Sequence, residues 1–394
     1  MPSGSSCPWI PSGSPFGVDQ LPSPHQYIDG GLRLGRDEGM LRRASAYHRD
    51  ISANGAYPLL TLGHLARETE TEWGYLRSIV ERRRDDYTAI RRRKPDGTYR
   101  AISAPLPSLM HVQRWILANV LTGLQIHSAA FAYRRGLSIR DCAEQHVGAR
   151  WMLKMDLHNF FGTIEESRVY GAFHALGYPA LLAFEMARLC TKLVRPEKEL
   201  PRLEGRGIER YDTSYRGVLP QGAPTSGALA NAVGFRLDTM LQKIADANGL
   251  AYTRYSDDLT FSSPAPFSRA VVPKLVAQVE KSISLSGFQV HKKKTRLVPP
   301  GARKIVLGLL LMDREVRLVP EFRSRIDNHI RCVGKYGPAA HSASRRFDSA
   351  LSMINYVDGC LAFALDIEPD WARERTQRWL DALRRHGHPL TQDG

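Results

Sequence analysis

Alternating side chains on both sides of an Asp-Asp pair predict a β-hairpin. The segment AYTRYS leads into Asp257 and Asp258 with period-two spacing, and the segment LTFSS follows them in the same pattern. The two carboxylates are therefore expected at the tip of a hairpin over residues 251–263. Aspartate is common in ordinary turns because its side chain bonds nearby backbone, so this hairpin alone indicates no function.

Four further segments complete a regular layout around this hairpin. A buried strand is predicted over residues 151–157 from the apolar run WMLKMDL, and another strand over residues 304–311 from KIVLGLLL. Apolar residues at helical spacing predict helices over residues 226–248 and 273–285. The resulting order, β-α-β-β-α-β, is the split βαβ layout of a ferredoxin-like sheet.

Three carboxylates are expected to share one site in this layout. The first strand lies beside the hairpin, so Asp156, at the end of that strand, should meet Asp257 and Asp258. Such a cluster repels itself unless a cation occupies it, and hard oxygen ligands select Mg²⁺ or Mn²⁺. Two such ions about 3.5–4 Å apart can activate an attacking hydroxyl and stabilise a leaving pyrophosphate. The chemistry indicated is nucleotidyl transfer.

A second predicted hairpin, over residues 90–105, carries a cluster of basic side chains. Its Pro-Asp-Gly sequence is a strong turn signal between two strand-like pieces. Lysine supplies a point charge and arginine a planar fork for phosphate oxygens, so this hairpin is suited to a triphosphate. The basic residues are Arg91, Arg92, Arg93, Lys94 and Arg100.

The remaining segments have simpler patterns. Residues 1–30 are rich in Ser, Pro and Gly, which predicts a flexible arm. Residues 59–84 have a helical pattern, and the polar, irregular segment 195–216 predicts a loop. From residue 321 onward the pattern is helical throughout.

Composition favours an intracellular protein with a polyanionic partner. The 394 residues are 43% hydrophobic and carry a formal charge of +15, which favours nucleic acid before membrane, although any single basic cluster is equally consistent with a solvated surface. The five cysteines lie far apart without zinc spacing. We therefore expect a reducing, cytoplasmic location without disulfides or structural metal. A signal peptide and a membrane span are not expected.

Three motifs resemble those of one polymerase family. LKMDLHNFF, LPQGAPTS and YSDDLTFS occur in this order, and they resemble the successive motifs of reverse transcriptases, specifically the bacterial retron type, over residues 59–365. The resemblance implies an α+β right-hand polymerase fold with fingers and a ferredoxin-like palm, followed by an α-helical thumb. The implied domains are an N-terminal arm (1–30), a helical region with fingers (31–150), a palm (151–315, with part of the fingers inserted at 165–216) and a thumb with C-terminal tail (316–394).

The same resemblance implies roles for individual residues. Asp156, Asp257 and Asp258 would be catalytic and would bind two Mg²⁺ ions, or Mn²⁺ in their place, with the carbonyl of Leu157 assisting. The implied nucleotide-binding residues are Lys94, Arg100, Phe161, Gln221 and Lys294. Among them Phe161 would exclude a 2′-hydroxyl, and Lys294 would serve as an acid for pyrophosphate departure. The implied nucleic-acid-binding residues are Arg254, Lys292, Lys293, Gly308 and Arg323.

Three positions differ from the retron pattern. Retron enzymes often carry Asn-Ala-x-x-His before the first catalytic strand, where this chain has CAEQH at residues 142–146. They often carry Val-Thr-Gly late in the palm, where this chain has Val-Leu-Gly at 306–308, and Pro after LPQGAPTS, where it has Gly227. These positions bear on recognition of the cognate RNA.

The function implied is RNA-directed DNA polymerisation of retron type in anti-phage defence. The implied partners are a structured noncoding RNA as template and primer, the RNA–DNA duplex product, dNTPs and an effector protein encoded nearby, without a membrane partner. Two alternatives stay open. One is a non-retron defence reverse transcriptase that makes untemplated or protein-primed DNA, and the other is a catalytically silent RNA-binding scaffold.

Overall fold

The structure is a computed structural model, and it describes residues 24–93, 97, 99–194, 217–266, 268 and 270–387. The chain divides into two compact units. The first contains residues 1–124, 166–217 and 222–225, and the second contains residues 125–165, 218–221 and 226–394. Most of the predicted arm and the whole loop predicted at 195–216 lie outside the described residues, and the predicted domain boundaries stay predictions.

Helices make up most of the regular structure in the described ranges, and the strands between them are short. The helices are α1 (Pro24–Arg33), α2 (Glu38–Ala53), α3 (Leu62–Glu68), α4 (Trp73–Val80), α5 (Pro107–Asn119), α6 (Ile139–Glu144), α7 (Glu166–Ala175), α8 (Ala180–Cys190), α9 (Ser226–Val233), α10 (Phe235–Ala247), α11 (Val271–Leu285), α12 (Pro320–Tyr336), α13 (Pro338–Ser344), α14 (Ala350–Ile367) and α15 (Pro369–Arg384). The strands are β1 (Tyr87–Arg93), β2 (Tyr99–Pro105), β3 (Trp151–Asp156), β4 (Lys192–Leu193), β5 (Gly217–Val218), β6 (Ala251–Tyr255), β7 (Asp258–Ser263), β8 (Arg296–Val298), β9 (Ile305–Val306), β10 (Leu309–Leu311) and β11 (Val316–Leu318).

The second unit contains a four-stranded antiparallel sheet in the order β6-β7-β3-β8. The chain between β3 and the β6–β7 hairpin contains α7, α8, β4 and β5, and then α9 and α10. Helix α11 connects that hairpin to β8. This is the predicted β-α-β-β-α-β order, with the first strand paired to the hairpin, so the ferredoxin-like sheet is confirmed. The single helix predicted over 226–248 is divided in two at Gly234.

The prediction for the last strand of this sheet was wrong. The fourth strand is β8, a short polar-apolar segment, while residues 304–311 belong to a separate three-stranded sheet in the order β11-β10-β9. The apolar run does not stay extended because Leu307 and Gly308 have φ values of +50° and +84° and form a turn between β9 and β10. Glycine takes such values at little cost, so a turn can interrupt an otherwise continuous apolar run.

The first unit contains the predicted basic hairpin and a buried ion cluster. Strands β1 and β2 pair antiparallel, with Arg92 opposite Arg100, which confirms the hairpin. In the interior of the unit, Glu166 receives hydrogen bonds from Arg82 and from Arg188, the latter at 3.0 Å between Nε and Oε1. All three side chains are almost entirely buried. Buried ions are tolerated where opposite charges and hydrogen bonds surround them, as in this cluster.

The C-terminal region of the second unit is helical, as predicted. Helices α12, α14 and α15 share an apolar core, formed by Ile326, Ile330, Val333, Met353, Ile354, Val357, Leu361, Trp379, Ala382 and Leu383. Among the described residues, α14 alone is long and apolar enough to span a membrane, with a mean hydropathy of 1.3 over 18 residues. The inward residues of α14 pack in this core. Length and hydropathy alone are therefore weak evidence that α14 spans a membrane.

Candidate active site

The three predicted catalytic carboxylates lie at the ends of neighbouring strands. Asp156 is the last residue of β3, Asp258 is the first residue of β7, and the two are directly opposite each other in the antiparallel register. Asp257 occupies the turn before β7, and its carbonyl oxygen accepts a hydrogen bond from the amide of Leu157 at 2.9 Å. Register-paired residues lie about 5 Å apart. The structure therefore brings these three residues together as the sequence predicted.

The turn before Asp257 has an unusual backbone conformation at Ser256, and two neighbouring side chains hydrogen-bond to that residue. Ser256 has a φ of +60°, which is unusual for a residue other than glycine. Its carbonyl accepts a hydrogen bond from Nη1 of Arg254 at 3.2 Å, and its hydroxyl lies 3.2 Å from the hydroxyl of Tyr133. Strain of this kind persists where the surroundings fix the backbone, and it often occurs at active sites.

The pKa values of Asp258 and Lys294 are both raised above their ordinary values. Partial desolvation raises the pKa of Asp258, and the neighbouring charges of Asp257 and Asp156 raise it further. Asp156 is only 5% exposed, and its Oδ2 accepts a hydrogen bond from Nζ of Lys294 at 2.7 Å. Partial burial acts to lower the pKa of Lys294, but the bond to Asp156 and the charges of the other two aspartates outweigh it, so that pKa is raised. Lys294 is therefore held in its charged form.

The donor set suits a hard divalent cation. Within the described ranges, no three Asp, Glu, His or Cys side chains are grouped closely enough to hold a metal ion as they stand. Asp156 and Asp258 nevertheless face each other at the ends of β3 and β7, with Asp257 in the adjoining turn. Desolvation and the charges of the other two aspartates raise the pKa of Asp258, and the ammonium of Lys294 is bonded to Asp156. Oxygen donors with unbalanced negative charge are what Mg²⁺ and Mn²⁺ require. The residues present therefore fit the expected ions.

Lys294 reaches the site through a short connection after α11. Residues 292–294 form one 3₁₀ turn. The preceding segment is fixed to the end of β3, since the amide of His291 donates to the carbonyl of Asp156 at 2.7 Å. Lys292 and Lys293 of the same turn are exposed to solvent. Contact between these two lysines and nucleic acid stays a prediction.

Phe161 and Gln221 lie on two connected segments. Phe161 is half-buried, in a 3₁₀ turn that follows β3. The segment after it is joined to the Gln221 loop, because the amide of Leu219 donates to the carbonyl of Ile164 at 3.0 Å. Ser226 fixes the same loop by donating from Oγ to the carbonyl of Pro220 at 2.7 Å. Gln221 itself is partly exposed, and its contact with a nucleotide, like that of Phe161, stays a prediction.

The prediction that Arg254 binds nucleic acid was wrong. Its side chain is fully buried, and its guanidinium makes two hydrogen bonds to the carboxylate of Asp238, at 2.8 and 2.6 Å. Asn231 accepts a third bond at 3.1 Å, and the guanidinium lies over the ring of Phe160 at 5.6 Å. The middle of β6 is buried, so a basic side chain there requires a buried counter-ion. Arg254 instead holds the turn before Asp257, through its hydrogen bond to the carbonyl of Ser256.

The other predicted binding residues have varied surroundings. Lys94 lies outside the described residues, and Arg100 is in β2, with its side chain also outside the description. Gly308 forms the turn between β9 and β10. Arg323 is paired with Glu368, whose other oxygen accepts the amide of Leu318 at 2.8 Å. Their roles in binding stay predictions.

Sequence reasoning missed Tyr133 and Asp238. Neither belongs to one of the three motifs. An arginine inside a strand could have indicated the need for a buried acid, and Asp238 lies on the helix immediately before that strand. Tyr133 offered no comparable signal, because its φ of +58° and its contacts are known only from the folded chain.

His146 is a buried histidine with both ring nitrogens satisfied. Nδ1 lies 2.7 Å from the hydroxyl of Ser262, and Nε2 lies 2.7 Å from the hydroxyl of Thr253. Burial lowers the pKa of His146 to about 4, and the charge of Lys154 lowers it further. His146 thus joins β6 to β7 behind the acidic turn.

Acidification should lower the free energy of unfolding, because His146 is buried in its neutral form. The unfolded histidine binds a proton near pH 6.5, so between pH 6.5 and about 4 the unfolded state holds more protons and stability falls as pH falls. The loss is about 1.4 kcal/mol per pH unit, which is about 2 kcal/mol at pH 5. Urea unfolding of wild type and His146→Gln at pH 7.5 and pH 5 should show a smaller loss in the variant. Equal losses in the two proteins would contradict this prediction.

Comparison with known proteins adds independent findings. The family described as "Reverse transcriptase (RNA-dependent DNA polymerase)" matches residues 92–311. The Retron Mx162 reverse transcriptase of Myxococcus xanthus is 36% identical over 225 residues, which are 55% of this chain and 45% of that protein. The Retron Ec86 reverse transcriptase of Escherichia coli is 30% identical over 283 residues, which are 71% of this chain and 75% of that protein. The match thus spans less than half of the first relative and three quarters of the second.

Solved structures show a weaker similarity. The foamy viral protease-reverse transcriptase in complex with RNA/DNA hybrid aligns with 77% of this chain and 33% of its own, at 16% identity and a TM-score of 0.38. The same viral protein in a complex with double-stranded DNA aligns at 15% identity and a TM-score of 0.35.

Proposed function

The chain belongs to the reverse transcriptase family, in its retron type, and has the polymerase fold of that family; on this premise we propose that it copies a structured noncoding RNA into DNA. The observation that carries the proposal is the register pairing of Asp156 with Asp258 across β3 and β7, with Asp257 beside them. Three carboxylates at one edge of a sheet suit metal-assisted phosphoryl transfer. The formal charge of +15 suits a nucleic-acid partner.

Asp156, Asp257 and Asp258 would hold two Mg²⁺ ions, or Mn²⁺ in their place, with help from the carbonyl of Leu157. When bound, such ions activate the primer hydroxyl and stabilise the departing pyrophosphate. The chain's own contribution is to position these oxygens, which it does through the β3–β7 pairing and the held turn at Ser256. In-line transfer depends mainly on such positioning and on charge stabilisation.

Other residues would bind and select the nucleotide. Lys294 is kept charged beside Asp156, so it has a proton to give to the leaving pyrophosphate. Phe161 would lie against the sugar and exclude a 2′-hydroxyl, and Gln221 would lie along the incoming nucleotide and the template base. Lys94 and Arg100 of the basic hairpin would hold the triphosphate.

The biological setting is part of the same proposal. The template RNA also provides the primer, the protein works in the cytoplasm, and the DNA product serves anti-phage defence together with an effector protein. What supports this setting is family membership, since relatives that match this chain are retron reverse transcriptases.

The nucleic acid that co-purifies with the protein tests the proposal. The chain is expressed with its native flanking DNA, and the bound nucleic acid is sequenced for wild type, for the Asp257→Asn, Asp258→Asn double variant and for Asp348→Asn. Asp348 is an exposed aspartate outside the site and serves as a matched control. We expect one discrete DNA joined to a short RNA with wild type and the control, and RNA alone with the double variant.

Other outcomes separate the alternatives. Heterogeneous DNA, or DNA attached to protein, would exclude the retron product and favour untemplated or protein-primed synthesis. Identical nucleic acid in all three preparations, without DNA, would favour an RNA-binding scaffold.

A further inference from the structure

Tyr133 is an exposed aromatic residue at the active site to which the three motifs give no role. Its side chain is 55% exposed, and its ring meets Phe161 edge to face, with centroids 6.0 Å apart and planes at 69°. Its hydroxyl lies 3.2 Å from Oγ of Ser256, the residue before Asp257. One side chain therefore contacts both the proposed sugar-excluding residue and the catalytic turn.

The backbone leading to Tyr133 is fixed along β6. The amide of Arg254 donates to the carbonyl of Ala129 at 2.7 Å, and the amide of Phe131 donates to the carbonyl of Arg254 at 2.9 Å. Asn231, on α9, donates from its side chain to the carbonyl of Ala132 at 2.7 Å. Tyr133 follows with a φ of +58°. A residue of this size is found in that conformation where its surroundings impose it.

The position of the ring also depends on Gly227. A Cβ atom added at Gly227 would lie 2.4 Å from Cγ of Tyr133 and 2.7 Å from its Cδ1. No side chain can occupy that space while the ring stays in place. Gly227 stands directly after LPQGAPTS, so the residue that follows this motif determines where the Tyr133 ring can lie.

We propose that Tyr133 is a positioning residue that braces Phe161 and thereby sets the discrimination between deoxyribonucleotides and ribonucleotides. This inference rests on the proposed function of Phe161. Phe160 also contacts Phe161, at 5.5 Å between ring centroids. A steric gate excludes a hydroxyl only if it cannot move away. Without the Tyr133 ring, Phe161 gains space to retreat from the sugar, and a 2′-hydroxyl can enter.

The test is a sugar-selectivity ratio. The value of kcat/KM is measured for a dNTP and for the rNTP of the same base, with purified full-length protein extending a primer on an RNA template. Tyr133→Ala is expected to raise the ratio of kcat/KM for the rNTP to kcat/KM for the dNTP by about tenfold or more. A change of about one methylene in the space of a binding pocket alters discrimination between substrates by roughly that factor. Tyr133→Phe keeps the ring and is expected to keep the wild-type ratio. Tyr47→Ala removes an exposed tyrosine of α2, which belongs to none of the three motifs, and serves as the control.

A second variant tests the same inference if Tyr133→Ala fails to fold. Gly227→Ala leaves Tyr133 intact but displaces its ring, and it should shift the ratio in the same direction. Equal losses for dNTP and rNTP in Tyr133→Ala would overturn the proposal, because they indicate a purely structural role. An equal ratio shift in Tyr133→Phe and Tyr133→Ala would also overturn it, because the hydroxyl and not the ring would then be responsible.

Phe161→Ala separates this inference from the function on which it rests. If Phe161→Ala raises rNTP use and Tyr133→Ala does not, the gate stands and the bracing role is wrong. If Phe161→Ala leaves the ratio unchanged in an active enzyme, the gate is wrong and the bracing role is lost with it. If wild type extends no primer, the proposed polymerase function itself is wrong.

Discussion

The Asp257→Asn, Asp258→Asn double variant is expected to lose DNA synthesis by at least about a thousandfold, which corresponds to about 4 kcal/mol of transition-state stabilisation. Asparagine keeps the shape of aspartate but removes two negative charges that would bind cations. The site then retains Asp156 as its remaining carboxylate, and that one is already bonded to Lys294. Primer extension on an RNA template measures the loss.

The same variant should be as stable as wild type or more stable. The pKa of Asp258 is raised by desolvation and by its acidic neighbours, so its charged form is disfavoured in the folded state relative to the unfolded state. A carboxylate with a raised pKa costs stability at neutral pH, and this cost disappears as pH falls below its unfolded value. Urea unfolding at pH 7 should therefore show no loss of stability. A loss that matched the loss of activity would indicate a structural role for the turn.

Arg254→Met is expected to destabilise the protein by about 3–5 kcal/mol, because it leaves the buried carboxylate of Asp238 without its cationic partner, bonded, among the described side chains, only to the hydroxyl of Tyr252 at 2.8 Å. Asp238, like Arg254, is fully buried, and the two are joined by paired hydrogen bonds. Removal of the guanidinium also removes the donor that holds the carbonyl of Ser256. Urea unfolding measures the first effect and primer extension the second. A loss of stability below about 1 kcal/mol would contradict the buried-pair argument.

A double variant separates the two consequences. Arg254→Met with Asp238→Leu removes both charges, and it should recover part of the stability, because an apolar pair of similar volume can replace a buried ion pair. The recovery is incomplete because the hydroxyl of Tyr252 loses its acceptor on Asp238. It should not recover activity, since the turn at Ser256 still lacks its donor. Full recovery of activity would show that Arg254 acts through stability alone.

The palm topology could be predicted because its strands and helices have distinct periodicities. Strand β3 is an apolar run interrupted only by Lys154, and the β6–β7 hairpin alternates around Asp257 and Asp258. The pairing of β3 with β7 then follows from the split βαβ layout. That layout brings the three carboxylates together, although about a hundred residues separate Asp156 from the other two.

The failures have physical reasons as well. The strand predicted over 304–311 was assigned to the wrong sheet, because an apolar run has no periodicity that would indicate the turn at Gly308. Arg254 was predicted to bind nucleic acid from the family resemblance, while its buried partner Asp238 is contributed by α10. Tyr133 depends on contacts with Phe161, Ser256 and the space at Gly227, which are set by tertiary packing. Local sequence carries little information on such contacts.

The most direct test of the central claim is primer extension by purified protein on an RNA template of defined sequence, with Mg²⁺ and four dNTPs. Wild type is compared with the Asp257→Asn, Asp258→Asn double variant and with the Asp348→Asn control, and the product is sequenced. The account predicts DNA complementary to the template from wild type and the control, and none from the double variant. Equal product from all three proteins, or product unrelated to the template, would contradict it.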